Sequence, residues 1–485
     1  MKSPHTSTFS RLVWTIVPLV FFGTLPGLVS AEDSPNILFI FTDDQCFDTI
    51  GAVGNPRIET PAMDQLAQRG TRFSHCFNMG SWSPAVCVAS RTMLNSGRYL
   101  WQAEQIYKES EAERTAGRWW SEYLKQAGYR TYMTGKWHCL ARAQRAFDVV
   151  ADVRGGMPNQ TPDGYHRPAA DGRDPWSASD PKFGGFWAGG KHWSEVVADH
   201  ASDFLQQAKT HDEPFFMYIA FNAPHDPRQS PQEFLNRYPV DSIEVPPSFL
   251  PSYPFRQAMG AGEKLRDEML APFPRTTAQV QVHRREYYAQ ITHLDQQIGR
   301  ILDALETTGQ ADNTWIFFTS DHGLAVGHHG LMGKQNMYDH SLRVPFLVVG
   351  PQIPEGQTIA TPIYLQDVMP TTLELAGIPK PEHVQFASLL PILAGDSGQQ
   401  NRSIYGAYLK KQRCIRTDRY KLIFYPDAKV ARLYDLHADP DETIDLFDLP
   451  QSRPIVAALL RELIELQQEL NDPLDLTQSF ADLLQ

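Results

Sequence analysis

The sequence predicts an α/β fold: a large, mostly parallel sheet sandwiched by helices, with a smaller C-terminal α+β subdomain containing an antiparallel sheet. Three observations predict it. Short apolar runs of buried-strand type recur up to Val349, and helical patterns fall between them. From about residue 390 the runs become short and semi-alternating, with polar turns between them, as a small antiparallel sheet requires.

In chain order, Lys2 and Arg11 precede an uncharged, largely apolar run from Leu12 to Val29, and Val29-Ser30-Ala31 supplies small residues where signal peptidase cuts. Residues 1–31 therefore read as a secretory signal peptide, which makes the mature chain secreted or periplasmic. Pro18, Gly23, Pro26 and Gly27 interrupt the run and no basic stop-transfer flank follows, which argues against an anchor. No later stretch is long and apolar enough to span a bilayer, so no membrane span is expected after cleavage.

Residues 32–390 are expected to form the main domain. Its strands are Asn36 to Phe41, Tyr129 to Met133, Phe215 to Phe221, Trp315 to Phe318 and Val344 to Val349. The clearest helix runs from His283 to Leu305, with Tyr288, Ile291, Leu294, Ile298, Ile301, Leu302 and Leu305 at three- and four-residue spacing and Gly309 closing it. Residues 140–195 and 226–275 show no sustained period. Long irregular insertions in a compact domain are usually functional loops, so substrate selection is expected there. Residues 391–485 are expected to form the α+β subdomain. Its strands are Ser403 to Leu409, Arg413 to Arg416, Lys421 to Phe424 and Arg432 to Tyr434, followed by a helix from Pro454 to Leu470.

The polar residues after the strands carry the chemistry. Asp43 and Asp44 follow the first strand, Lys136 and His138 the second, His225 the third, and Asp321 and His322 the fourth. In open α/β sheets a ligand sits outside the carboxyl ends of the strands, so these groups should converge. A formal net charge of -12 argues against a nucleic-acid partner. An exported chain is expected to pair its cysteines. Here there are five, so at least one is left over, and none shows the close spacing of a zinc site.

The stretches NILFIFTDDQ, CVASRTMLNSG, TGKWH, NAPHDPR and TSDHGLAVGHHGLMGKQNMYDHSLRVPFLVVGP, in this order between residues 36 and about 350, resemble the successive motifs of the type I sulfatases of the alkaline phosphatase superfamily. The C-terminal sheet is similar to that family's second domain. The resemblance implies a sulfuric ester hydrolase acting on a sulfated small molecule or saccharide. Cys87 and Arg91 match the cysteine and arginine of C-x-P-x-R, the motif in which a formylglycine-generating enzyme oxidises the cysteine to an aldehyde. Its hydrate supplies the nucleophile. Asp43, Asp44, Asp321 and His322 match the metal ligands, with residue 87 completing the shell.

A divalent cation eases loss of the diol proton and polarises a sulfate oxygen. Three carboxylates suggest calcium, while His322, where many members have asparagine, leaves magnesium open. Lys136, His225 and Lys334 match sulfate-binding residues, and Arg91 supports the nucleophile loop. His138 matches the base that takes a proton from the remaining hydroxyl of the sulfated intermediate and so expels sulfate. Ala89 stands where the family has proline, and is expected to weaken formylglycine formation without preventing it. Asp226, Arg228, His192 and Trp193 are candidate substrate contacts. Two other readings stay open: a phosphodiesterase or phosphonate monoester hydrolase of the same superfamily, and a non-catalytic binding homologue.

Overall fold

An eight-stranded sheet forms the centre of the protein. In spatial order its strands are Gln357–Ile359, Thr71–Phe73, Phe346–Val349, Thr314–Ser320, Asn36–Thr42, Phe215–Ala220, Arg130–Lys136 and Val149–Arg154. Only Phe346–Val349 runs against its neighbours; every other pairing is parallel. The computed structural model describes residue 1 and residues 34–159, 161–396 and 403–484. Beyond its first residue, the expected leader lies outside the described residues.

Strand alternation divides the core between the two faces of this sheet. Leu38 and Ile40 point to one face, where they join Met63, Leu66, Val197, Phe204, Ile291 and Leu294 from the helices Pro61–Arg69, Trp193–Ala208 and Thr277–Thr308. Ile37, Phe39 and Phe41 point to the other, against Leu94, Trp120, Leu124 and Met369. The long helix starts six residues before the predicted point because a capping box fixes its entry: Thr276 and Gln279 each bond the other's backbone N–H. Gly309, at φ 75°, closes it as expected.

Three sheet strands escaped the sequence pattern. Thr71–Phe73 and Gln357–Ile359 have three residues each, too few to show a period, and the edge strand Val149–Arg154 is only half-buried. The run predicted from Val344 to Val349 breaks at Pro345. Arg343–Val344 pairs with Cys76–Phe77 in a separate sheet, and Phe346–Val349 stays in the main one. Proline has no N–H to give a ladder, so the chain changes sheets there.

The small sheet orders Val430–Asp435, Tyr420–Tyr425, Gln412–Arg416 and Ile404–Tyr408 in antiparallel fashion, and the helix Arg453–Glu469 packs on it. Its last strand, Gly80–Ser81, comes from far upstream and pairs parallel to Ile404–Tyr408. Gly80 has φ 94°, and a Cβ there would stand 1.9 Å from the Ala407 carbonyl oxygen, so only glycine permits the pairing. This strand leads directly into the segment carrying Cys87, which ties the small sheet to the site. All five cysteines are free thiols, against the expectation of pairing. Among the described residues, no helix is long and apolar enough to cross a membrane.

Candidate active site

The four strands that end in polar residues, Thr314–Ser320, Asn36–Thr42, Phe215–Ala220 and Arg130–Lys136, are consecutive parallel neighbours in the sheet. Their carboxyl ends therefore meet on one side. Asp44 at φ 72° and His138 at φ 53° adopt left-handed backbone just after their strands, a strained choice for residues other than glycine that turns their side chains across the sheet end.

Cys87 is the second residue of the helix Val86–Ser96. Its Sγ lies 3.1 Å from His138 Nδ1. Burial alone would push this thiol up, but Lys136 and His138 outweigh burial and hold it well below the usual thiol range. One turn on, Arg91 is completely buried. It donates from Nε to Asp321 Oδ2 at 3.0 Å and from Nη1 to the Lys136 carbonyl at 2.7 Å, over the ring of Phe41. It thus braces the helix bearing Cys87 against two strand ends.

Asp43, Asp44 and Asp321 are fully buried together. Lys136 Nζ bonds Asp43 Oδ2, and Lys334 Nζ donates to both oxygens of Asp44 at 2.8 and 2.9 Å. Burial, then the neighbouring Asp321, pushes Asp43 well above the ordinary carboxylate range. Burial also raises Asp44, against Lys334 and His322, while His322, Arg91 and Lys136 overcome burial at Asp321 and hold it low. Three carboxylates packed this way resist full ionisation without more positive charge.

His322 makes the same point. Its Nδ1 donates to the Gly323 carbonyl at 3.0 Å, so in the neutral ring Nε2 presents a lone pair, yet it faces Asp44 Oδ1 at 3.2 Å and Asp321 Oδ1 at 3.5 Å. In that form acceptors face acceptors, and Asp321 and Asp44 overcome burial to hold the His322 pKa above the usual histidine range. Among the described residues, Asp43 Oδ1 and His322 Nε2 are buried with no hydrogen-bond partner, and Asp43, Cys87, Asp321 and His322 offer ligand atoms all within 4.8 Å of one another. A cation between them resolves the conflict, so this donor set fits a metal. Asp44 joins Asp43 and His225 in a second, overlapping group of the same kind.

His225 donates from Nδ1 to the Asp226 carbonyl at 2.6 Å, which leaves Nε2 as an acceptor for Arg266 Nη2 at 3.3 Å. Burial first, then Lys334 and Arg266, keep its pKa well below the usual histidine range. In this state the ring is neutral, and the positive charge around it belongs to Lys334, Arg266 and Lys136.

The structure brings all ten sequence-predicted site residues into this one cluster, at or beside a cavity of about 430 Å³. The candidate substrate contacts fare differently. His192 is completely buried: Nε2 meets the Gln229 carbonyl at 3.0 Å, Nδ1 accepts from Ser194 N, and the ring stacks on Phe186. Arg228 is buried against His283. Trp193 is engaged by Arg154 and the Ala188 carbonyl, outside the cavity. Asp226 stands beside His225 and Arg266.

Sequence reasoning missed Gly156, Met157, Arg266 and Asp267, which line the cavity from the two irregular insertions. Their only signal was the adjacent charges of Arg266 and Asp267 in a stretch without period. Gly156 stands against His138, where a Cβ would come within 2.5 Å of the imidazole.

A family model described as Sulfatase matches residues 35–378, and one described as N-sulphoglucosamine sulphohydrolase, C-terminal, matches residues 327–469. The chain is 30% identical to an uncharacterized sulfatase YidJ of Escherichia coli K12, over 90% of this chain and 88% of that one. It is 27% identical to an N-acetylglucosamine-6-O-sulfatase of Bacteroides thetaiotaomicron, over 90% of this chain and 87% of that one. A solved structure of BT4656 in complex with its substrate D-glucosamine-2-N,6-O-disulfate superposes with a TM-score of 0.70 at 24% identity, covering 91% of this chain and 99% of that one.

Proposed function

The chain belongs to the sulfatase family and is a sulfuric ester hydrolase, and from that premise we propose that it is an exported enzyme cleaving sulfate monoesters of carbohydrates through a formylglycine made from Cys87 and a bound divalent cation. The observation that carries the reading is the buried group Asp43, Cys87, Asp321 and His322, with the substituent of residue 87 turned to His138. The carbohydrate part is supported by relatives named for sugar sulfates. Export rests on the leader-like residues 1–31.

Asp43, Asp44, Asp321, His322 and residue 87 would hold the cation, taken as calcium, which when bound supplies acidity to the nucleophile and polarises a sulfate oxygen. Lys136 and Lys334 face the anion with ammonium groups fixed by Asp43 and Asp44 before substrate arrives, so little reorganisation is needed as charge develops. His225 flanks Lys334 and Asp44. Arg91 keeps Asp321 and the helix bearing residue 87 in register. His138, 3.1 Å from the substituent of residue 87, is positioned to remove a proton there and to return it to solvent through the cavity it lines.

The test is expression beside a formylglycine-generating enzyme, mass spectrometry of the peptide spanning residues 83–98, and sulfate release from a panel of sulfated saccharides with phosphate diesters alongside. Sulfate release should track the aldehyde fraction, vanish in Cys87→Ala and after chelation, and return with calcium; return with magnesium alone would reassign the ion. Ala89→Pro should equal or exceed the natural sequence in aldehyde content. A fully thiol preparation cleaving as fast as a converted one would overturn the mechanism. Faster turnover of a diester than of every sulfate would transfer the site to phosphodiester chemistry.

A further inference from the structure

The cavity has a further cation besides the two lysines proposed to face sulfate. Arg266, in the short helical turn Arg266–Leu270, lines it together with Cys87, His138, His225 and Lys334. Its side chain is 40% exposed, whereas that of Lys334 is 1% exposed. It therefore stands toward the mouth, where the part of the substrate that carries the sulfate must lie.

The guanidinium is aimed by its neighbours. Nε and Nη2 both donate to Asp267 Oδ1, at 2.8 and 2.5 Å, and Asp267 Oδ2 is held in turn by Gln335 Nε2 at 2.8 Å. Nη2 also reaches His225 Nε2 at 3.3 Å. The turn itself is pinned to the Lys334 loop, since the buried Glu268 accepts from Met332 N at 3.1 Å and Gly333 N at 2.9 Å and pairs with Arg275. One edge of the fork is left over. Among the described residues, Nη1 meets only the thioether of Met157, a weak acceptor. Two N–H groups that want a strong oxygen acceptor thus border the substrate cavity.

Charge decides which oxygen suits them. Arg266 lies 2.5 Å from one carboxylate, Asp267, and 3.9 Å from another, Asp226; Lys334 Nζ stands 3.9 Å from Asp267 but is itself held by Asp44 at 2.8 Å, so the surroundings of Arg266 carry more negative than positive charge. A second anionic group on the substrate would meet those carboxylates as well as the guanidinium, and gain little. A neutral oxygen takes the hydrogen bond without that repulsion.

We propose that Arg266 is a specificity-determining residue whose Nη1 donates to a neutral oxygen, a hydroxyl or an amide carbonyl, on the sugar that bears the sulfate. The enzyme thereby selects saccharides whose sulfated residue is otherwise uncharged. This deepens the sulfatase reading and rests on it.

The experiment measures kcat and KM for the matured wild type, Arg266→Ala and Arg266→Gln on three probes: 4-nitrophenyl sulfate, a monosulfated N-acetylhexosamine and the same sugar carrying a second sulfate. The wild type should prefer the monosulfated sugar to the disulfated one. Arg266→Ala should lose about 10- to 100-fold in kcat/KM on the monosulfated sugar, mostly through KM, and at least tenfold less than that on the aryl sulfate, which has no such oxygen. Arg266→Gln, a neutral donor, should recover part of the difference. Equal losses on aryl and sugar substrates would overturn the proposal and move Arg266 to the sulfate itself through His225. A wild-type preference for the disulfated sugar that disappears in Arg266→Ala would overturn it in favour of anion recognition. A wild type that cleaves none of the three after full conversion of Cys87 would remove the sulfatase reading first, a pattern distinct from active enzymes that fail to discriminate.

Discussion

The two sides of the candidate site, the buried strand ends and the loops that line the cavity above them, are built by different means. On one, Asp43, Asp44, Lys136 and Asp321 sit at the ends of adjacent parallel strands, fully buried, each tied to an opposite charge. On the other, Gly156, Met157, Leu265 and Arg266 come from irregular insertions, are half-buried, and are held by turns and by one pinned loop. A cluster of three buried carboxylates is electrostatically costly, and only a backbone fixed by ladder bonds on both sides keeps such groups at close range. Loops need no such rigidity to meet the variable part of a substrate. On the proposed function, the contrast assigns reaction chemistry to the strand ends and substrate choice to the loops, with His138 at their seam.

The largest effect should come from the strand wall. Asp43→Ala removes an expected metal ligand and strands the Lys136 ammonium, so sulfate release should fall by at least about 10³-fold. Thermal stability should change little, because relief of carboxylate crowding around Asp321 offsets the loss of the lysine's partner. Kinetics on an aryl sulfate and a thermal melt check both halves. Activity within tenfold of wild type would break the division between the walls.

That division also governs what the sequence disclosed. Asp43, Asp44, Lys136, His138, Asp321 and His322 were legible because each directly follows an apolar run whose burial forces a strand, and the parallel order fixes which end faces the ligand. Cys87 and Lys334 were legible through family motifs and not through any period. His192 and Trp193 were ambiguous for a physical reason: aromatic residues at a helix start in a Gly- and Trp-rich stretch look equally suited to a sugar platform and to a cap. His192 proves to be the cap. Arg266 and Gly156 were invisible because their roles depend on where an aperiodic loop returns, and local sequence does not encode that. The edge strand Val149–Arg154 was missed likewise, since a half-buried edge carries only a weak apolar pattern.

A smaller effect should cross the seam from the loop side. Gly156 touches no substrate-facing charge, yet a Cβ at this position would come 2.5 Å from His138 Cε1 and 2.7 Å from Nε2. His138 already holds a left-handed backbone conformation and cannot retreat freely. Gly156→Ala should therefore displace the imidazole and lower kcat by about 10- to 100-fold, with KM on a small aryl sulfate little changed and the melt intact. An equal fall in kcat/KM carried by KM would instead make Gly156 a wall of the binding site.

The smallest effect should come from a loop-side residue that lies outside the cavity. Trp193 opens the helix Trp193–Ala208, donates from its indole to the Ala188 carbonyl at 3.0 Å, packs edge-on against Phe186, and has the Arg154 guanidinium 4.0 Å above its ring. The Arg154 contact fastens the insertion to the edge strand Val149–Arg154, the other two hold the insertion to itself, and none reaches Cys87. Trp193→Ala should thus cost stability on the order of 1–2 kcal/mol, from a lost cation–π contact and partly buried ring surface. It should leave kcat/KM on sulfated sugars within about threefold. A denaturation midpoint and saccharide kinetics measured on the same preparation separate the two quantities. A tenfold rise in KM at unchanged stability would return Trp193 to the substrate and show that the loop wall extends past Met157 and Arg266; the expected result confines recognition to the residues that border the cavity.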